Sequence, residues 1–246
     1  MINNFDFIEF DEATHTYRHK VSGNKLVSVT KVIESLHEPF NKDYWLPKKA
    51  AEQGISEEEL EAVWNEKKQR AANYGTRFHK YMEDKLNLVN TREKFVAADK
   101  YLQDYNEDVA VATEVRVGNH LVAGTFDCVV KRNGRYVLKD WKTNGVDKFT
   151  VESKYNKKLL APFNYLPDCK LTLYTLQLSM YRYLLDLPIW KMELVHFTEE
   201  DYKVYEVPYM QSEVWKIMES LDRKQTKKND DSRTRISTEV FSKPIR

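Results

Sequence analysis

Cysteine is scarce in this 246-residue chain, with only Cys128 and Cys169. Two thiols cannot ligate an iron–sulfur cluster or a four-cysteine zinc site, so buried, reduced thiols are expected. Long hydrophobic runs are missing as well. No apolar stretch reaches the roughly 20 residues that a membrane-spanning helix needs. The opening MINNFDFIEFDEATH is acidic and lacks the charged and apolar regions of a signal peptide. The expectation is an intracellular, cytoplasmic protein with no membrane partner. A strong net charge is also missing, because 39 Lys and Arg meet 38 Asp and Glu and leave +1. No global basic field advertises a nucleic acid. The charge is unevenly placed, however. Residues 223–246 hold eight basic and three acidic side chains, so this end is +5 and the remainder −4. A tail of that kind either contacts phosphates or is simply solvated.

What is present is an ordinary globular composition, 41% hydrophobic and 31% charged. The length suffices for one substantial domain. FDEATHTYRHKVSGNKLVSVT alternates around a Ser-Gly-Asn turn and reads as an N-terminal hairpin. KVIESLH reads as a short helix. Ser56 and Glu59 have capping-box spacing and open a long helical run. Gly75 interrupts that run, either as a break with Thr76 capping a new helix or as a point of close packing. REKFVAADKYLQDY reads as a further helix, and strands follow near 110–117, 121–131 and 135–142. A loop over 145–167 leads to a helix through LYTLQLSMYRYLLDL, with Asp168 placed to cap it and Pro188 to end it. Two more strands, WKMELVHF and YKVYEVPY, precede a helix near 211–224. The order predicts an α/β fold, a central mixed sheet flanked by helices with a helical N-terminal elaboration. Residues 1–225 read as one domain, with the hairpin and helices over 1–105 and the core over 106–225, followed by a basic tail over 226–246.

The segment GTFDCVVKRNGRYVLKDWKTN carries charges where a half-buried hairpin should alternate apolar residues. Asn133-Gly134 suits a type I′ turn, since both residues tolerate positive φ. A two-residue turn pairs Arg132 with Arg135 and, continued, sets Asp127 directly opposite Asp140. Cross-strand partners have Cβ atoms about 4.5–5.5 Å apart, and Lys142 shares their face. Two carboxylates so close repel unless protonated or bound to a cation. A divalent metal satisfies them, and oxygen donors suit Mg²⁺ or Mn²⁺ better than zinc. The competing reading is an exposed sheet face with ordinary charges.

The spacing Gly124-x-x-Asp127 followed by Asp140-x-Lys142-Thr143 resembles the PD-(D/E)XK nuclease superfamily. GTRFHKYME supplies Gly75, Thr76, His79 and Glu83 upstream, and QLSMY supplies Gln177 and Tyr181 downstream. LVSVTKVIESL resembles the opening of phage and mitochondrial-type single-strand exonucleases of the RecB-like branch. The resemblance implies that His79, Asp127 and Asp140 hold the metal with the backbone carbonyl of Trp141. It implies that Lys142 positions or activates the attacking water. Gln177 and Tyr181, on one helical face, would brace the site or touch the strand. Glu83 is either a partner of His79 or a surface charge. Glu114, paired with Ala123 if Gly118-Asn119 is a two-residue turn, would sit four residues from Asp127 and at most support it.

In the loop, Lys148, Lys154, Lys157 and Lys158 alternate with Phe149, Tyr155, Phe163 and Tyr165. Basic groups with rings suit a single strand, and Thr143 joins this DNA-contact set. The implied activity is metal-dependent DNA exonucleolysis, preferring single strands or flap ends. Replication or recombination proteins are the implied partners, and a phage-like origin is the implied context. The rivals are a structure-specific endonuclease or duplex exonuclease, and a catalytically silent nucleic-acid-binding module.

Overall fold

A computed structural model describes residues 5–241 except 13, 15, 146 and 147, with side chains described as far as residue 226. The N-terminal region forms a three-strand meander of β1 (Ile8–Asp11), β2 (Thr16–His19) and β3 (Lys25–Ser28), one strand more than the hairpin expected. Ser28 then caps α1 (Val29–Glu34) through its side chain. Next comes α2 (Lys42–Gln53), which the sequence pattern did not announce because Pro47 lies inside it. The helix α3 (Glu57–Leu86) opens with the Ser56/Glu59 capping box and runs unbroken through Gly75, whose nearest neighbour is Thr143. Gly75 is therefore no break, and the Thr76 hydroxyl bonds the carbonyl of Ala72 rather than capping a helix.

The core continues with α4 (Val96–Asp104), β4 (Val109–Gly118), β5 (Val122–Arg132), β6 (Arg135–Lys142), α5 (Lys170–Leu184), β7 (Ile189–Phe197), β8 (Tyr202–Val207) and α6 (Gln211–Phe241). Helix α6 extends well beyond the expected 211–224, so residues 226–241 of the basic tail are helical in backbone. Asp168 does not cap α5. Its N-cap is Cys169, and the first amides are satisfied by Thr150, whose hydroxyl accepts from Lys170 N and whose carbonyl accepts from Leu171 N.

The eight strands among the described residues form one mixed sheet. One layer, built on α1, α5 and α6, packs through Val32, Ile33, Leu176, Met180, Val214 and Ile217. The other, built on α3 and α4, packs through Phe78, Tyr81, Met82, Tyr101 and Trp141. The Asn133-Gly134 turn has positive φ at both residues, and the register is the one expected, from Arg132↔Arg135 to Cys128↔Lys139.

The sheet forks at β5. On one edge β4 runs along most of its length. On the other, β3 holds only Val122 and Ala123, in parallel, and β6 holds Cys128 to Arg132. Between them Gly124 to Asp127 have no ladder partner on that edge among the described residues. Beyond the fork, β6 pairs with β7 in parallel as far as Lys142↔His196. Helices of both layers reach the gap, which places a site there.

Candidate active site

The fork is a cleft of about 520 Å³, lined by His79, Glu114, Asp127, Asp140, Lys142 and Gln177 among others. Asp127 occupies the point where the β5–β6 ladder stops. Its Oδ2 accepts a hydrogen bond from the Trp141 amide at 2.6 Å, replacing a main-chain acceptor, and Oδ1 lies 3.5 Å from His79 Nδ1. Continued one step beyond Cys128↔Lys139, the register brings Asp140 opposite it. Both aspartates are buried.

Glu114 reaches the same point from the other edge. The turn after Gly118 is not two residues long, because Gly118 pairs with Ala123. Val115↔Phe126 and Thr113↔Cys128 then bracket Glu114 opposite Asp127, not opposite Ala123 as expected. Glu114 adopts φ +49, a left-handed conformation that costs a non-glycine residue about 1–3 kcal/mol. In return its Oε1 sits 3.2 Å from His79 Nδ1. Glu83 does not take this role, since its partner is Lys80 at 3.0 Å.

Electrostatics in the cleft follow from burial and crowding. Burial alone would depress the His79 imidazolium, but Asp127 and Glu114 outweigh it and carry its pKa up to about 10. Burial raises Asp127, and the His79 and Lys142 charges reverse this to a net lowering. Asp140 goes the other way. Burial dominates, Lys142 only partly offsets it, the Asp127 charge adds to it, and the carboxyl rises to about 6. Glu114 is likewise raised, by burial first. Burial opposes the Lys142 ammonium, yet Asp140 and Asp127 hold its pKa above the usual lysine range.

Lys142 Nζ lies 2.6 Å from Asp140 Oδ2, donates to Gln177 Oε1 at 3.2 Å and sits 4.4 Å from the ring centre of Tyr174. Tyr174 was not a candidate from sequence, because an aromatic on an apolar helix reads as core. Gln177 is itself 3.4 Å from both Thr30 and Tyr181. Tyr181 packs on Gly124, where a Cβ would meet its Cε1 at 2.7 Å. That contact is why the residue three before Asp127 has no side chain.

These donors fit a hard divalent cation. His79, Glu114 and Asp127 each offer a ligand atom within 4.8 Å of the others. Asp140 Oδ2 is ion-paired with Lys142 at 2.6 Å and has no aligned hydrogen bond among the described residues, so it too could serve as an oxygen ligand. Of the Trp141 backbone, the amide is committed to Asp127.

None of the described residues of the 145–167 loop lines the cleft. Phe149 is a core ring, stacked on His196 at 4.3 Å and on Tyr205 at 5.2 Å, and has no face to offer a base. Phe163 is buried also. Lys157 pairs with Glu38 at 2.9 Å. Lys148, Lys154 and Lys158 are exposed, as is Tyr155. Thr143 faces Gly75 of α3. Sequence reasoning missed the opposite wall, where Phe10, Glu12, Tyr17, Thr30, Arg116 and Thr125 line the cleft. That wall depends on the short parallel pairing of β3 with β5, which no local pattern reveals.

Two solved structures align with the chain at low similarity. The crystal structure of SSO0001 aligns with a TM-score of 0.38 and 16% identity over 81% of this chain and 76% of that one. An alkaline exonuclease (LHK-Exo) from Laribacter hongkongensis aligns with a TM-score of 0.44 and 8% identity over 87% and 94%. No curated protein matches the sequence. A family model, by contrast, matches residues 31–238, a span that holds His79, Glu114, Asp127, Asp140 and Lys142. By that match the chain belongs to the PD-(D/E)XK nuclease superfamily.

Proposed function

We infer that the protein is a divalent-metal-dependent DNA exonuclease, of the RecB-like single-strand type, acting on single strands or flap ends. Superfamily membership makes the coarse activity that of a DNA nuclease and implies a divalent metal. The observation that carries the metal dependence is the meeting of His79, Glu114 and Asp127, whose ligand atoms lie within 4.8 Å of one another with Asp140 buried in the same cleft.

His79, Glu114, Asp127 and Asp140 are the residues that would hold Mg²⁺ or Mn²⁺. The bound ion supplies Lewis-acid stabilisation of phosphate charge and a more acidic water. The chain supplies the rest. Lys142, kept protonated by Asp140 and Asp127, acts as a cationic donor toward the scissile phosphate and not as a base. Gln177 and Tyr174 fix where its Nζ points. Tyr181, lodged against Gly124, keeps Gln177 in place. The exposed Lys148, Lys154, Lys158 and Tyr155 form an outer path for the strand beyond the cleft.

The test is digestion of linear and circular single strands by the full chain in Mn²⁺, with EDTA as control. Shortening of end-labelled linear DNA with circles intact is the expected result. Cleavage of circles would replace exonuclease with endonuclease, and no cleavage of any DNA would remove the reading.

A further inference from the structure

Helix α2 contributes no residue to the cleft lining. It packs on the opening of α3 through a small cluster of its own, Leu46 and Ala50 against Leu60, with Ile55 and Trp64 at the margin. At 3.6 residues per turn, Tyr44, Trp45 and Lys48 lie about 100–160° around α2 from Leu46 and Ala50, on the side that faces solvent. Tyr44 is 55% exposed and Trp45 37%. Phe40, just before the helix, is 65% exposed, although its ring meets Trp64 edge-on at 5.8 Å between centres. Single exposed aromatics are ordinary, but three so close together form a patch. Tyr44 and Trp45 meet edge to face at 5.1 Å, and Lys48 Nζ lies 5.7 and 5.3 Å from their ring centres. Lys48 forms no ion pair among the described residues, whereas nearby Glu52 and Glu61 are paired with Lys49 and Lys42. Asp43 falls on another side of α2, about 100° from Tyr44.

Two connections join this patch to the cleft. Helix α3 carries both Trp64 and His79, about 22 Å apart along its axis. The 145–167 loop is fastened to the segment leading into α2, by Lys157 with Glu38 at 2.9 Å and by Leu160 N donating to Leu36 O at 2.8 Å. The exposed Lys154, Tyr155 and Lys158 of that loop therefore border the approach to Phe40.

We propose that the outward face of α2 is a holding site for single-stranded DNA outside the cleft, in which Tyr44 and Trp45 stack on bases and Lys48 pairs with phosphate. The proposal rests on the nuclease reading of the cleft and adds a grip on the strand beyond it. A base that stacks takes the place of the Lys48 ammonium, which is then free to meet the phosphate beside that base. Bases inside a duplex cannot reach the rings, so the site selects unpaired DNA. Exposed rings also suit a protein surface, but the unpaired cation among them and the tie to the lysine-bearing loop favour a polyanion.

The test is binding of labelled oligothymidylate and of a blunt duplex to the full chain in Ca²⁺, compared across salt concentrations. Tyr44→Ala and Trp45→Ala should each weaken single-strand binding roughly 5- to 150-fold, the range of one base–aromatic stack, and leave duplex binding and the salt slope unchanged. Trp45→Phe keeps a ring and should retain most of the parent's affinity. Trp45→Leu is apolar without a ring face and should show the same loss as Trp45→Ala. Lys48→Ala should lower the salt slope by about 0.7, one phosphate contact.

Equal single-strand affinity for parent, Tyr44→Ala and Trp45→Ala would overturn the holding site even if the parent digests DNA. The same equality, with a smaller oligomer in sedimentation of the variants, would overturn it as well and give the face to a second copy of the chain. Ring-dependent single-strand affinity in a protein that never cleaves would uphold the holding site and overturn the nuclease reading instead.

Discussion

Among the described residues, two clusters of charge are buried, and they are built on different terms. At the fork, three carboxylates (Glu114, Asp127 and Asp140) face His79 and Lys142, and Asp140 Oδ2 has no aligned donor. Against α4, Arg132 and Lys139 face Asp108 and Glu193, two cations for two anions. There Arg132 is bidentate to Asp108 at 2.7 and 2.9 Å and to Glu193 at 2.7 and 3.1 Å, and the fully buried Lys139 also reaches Tyr101. The second cluster is closed: its charges cancel and its donors find acceptors, as a structural ion network requires. The first is open, with an excess of negative charge, a strained glutamate and an aspartate whose pKa is displaced upward. An excess of buried negative charge of that kind is what a bound cation would relieve, and a displaced carboxylate in a cleft marks a candidate site where a balanced network marks a strut.

The sharpest way to break the comparison is substitution within each cluster. Asp140→Asn keeps shape and removes one ligand charge. Turnover in saturating Mn²⁺ should fall on the order of a thousandfold, with DNA binding retained and thermal stability in EDTA unchanged or raised. Glu193→Gln should behave in the opposite way. Removing one partner of a buried network costs about 3–5 kcal/mol, visible as a lower urea midpoint, while turnover per folded molecule stays near that of the parent. Comparable loss of stability from both variants would erase the distinction.

A smaller effect concerns Gly124. Gly124→Ala places a methyl into the Tyr181 ring, and overpacking of this kind costs about 1–3 kcal/mol. The strain should also reach Lys142 through Gln177, so kcat should fall while the midpoint drops only modestly.

The smallest effect is a pH dependence. The folded pKa of Asp140, about 6, lies above the ordinary 3.8. Its contribution to stability in EDTA is therefore fully present below pH 3.8 and lost as pH rises through about 6. Relative to the parent, Asp140→Asn should gain stability across that window, by roughly 1 kcal/mol or more. A difference that is flat with pH would mean that Asp140 is not held in a displaced state.

How much of this was legible depended on the range of the signal. The β5–β6 register was, because Asn133-Gly134 is a local turn that sets every following pair. Parity along β6 separates Lys142 on the site face from Lys139 on the α4 face. Glu114 was misplaced because its position needs a longer turn after Gly118 and a left-handed residue inside a strand, and propensity predicts neither. Phe149 was read as a strand contact because a loop aromatic between lysines looks exposed, whereas tertiary packing buries it on His196. Phe10 and Arg116 carried no local signal at all, since distant strands bring them to the cleft.

The central claim is that the fork cluster is open because a divalent cation completes it. Calorimetric titration of Mn²⁺ into the full chain, Asp140→Asn and Glu193→Gln, below the melting temperature of all three, tests it most directly. The account predicts saturable binding to the parent and to Glu193→Gln, and binding lost or weakened at least tenfold in Asp140→Asn. Equal Mn²⁺ affinity in all three proteins, or none in the parent, would contradict it.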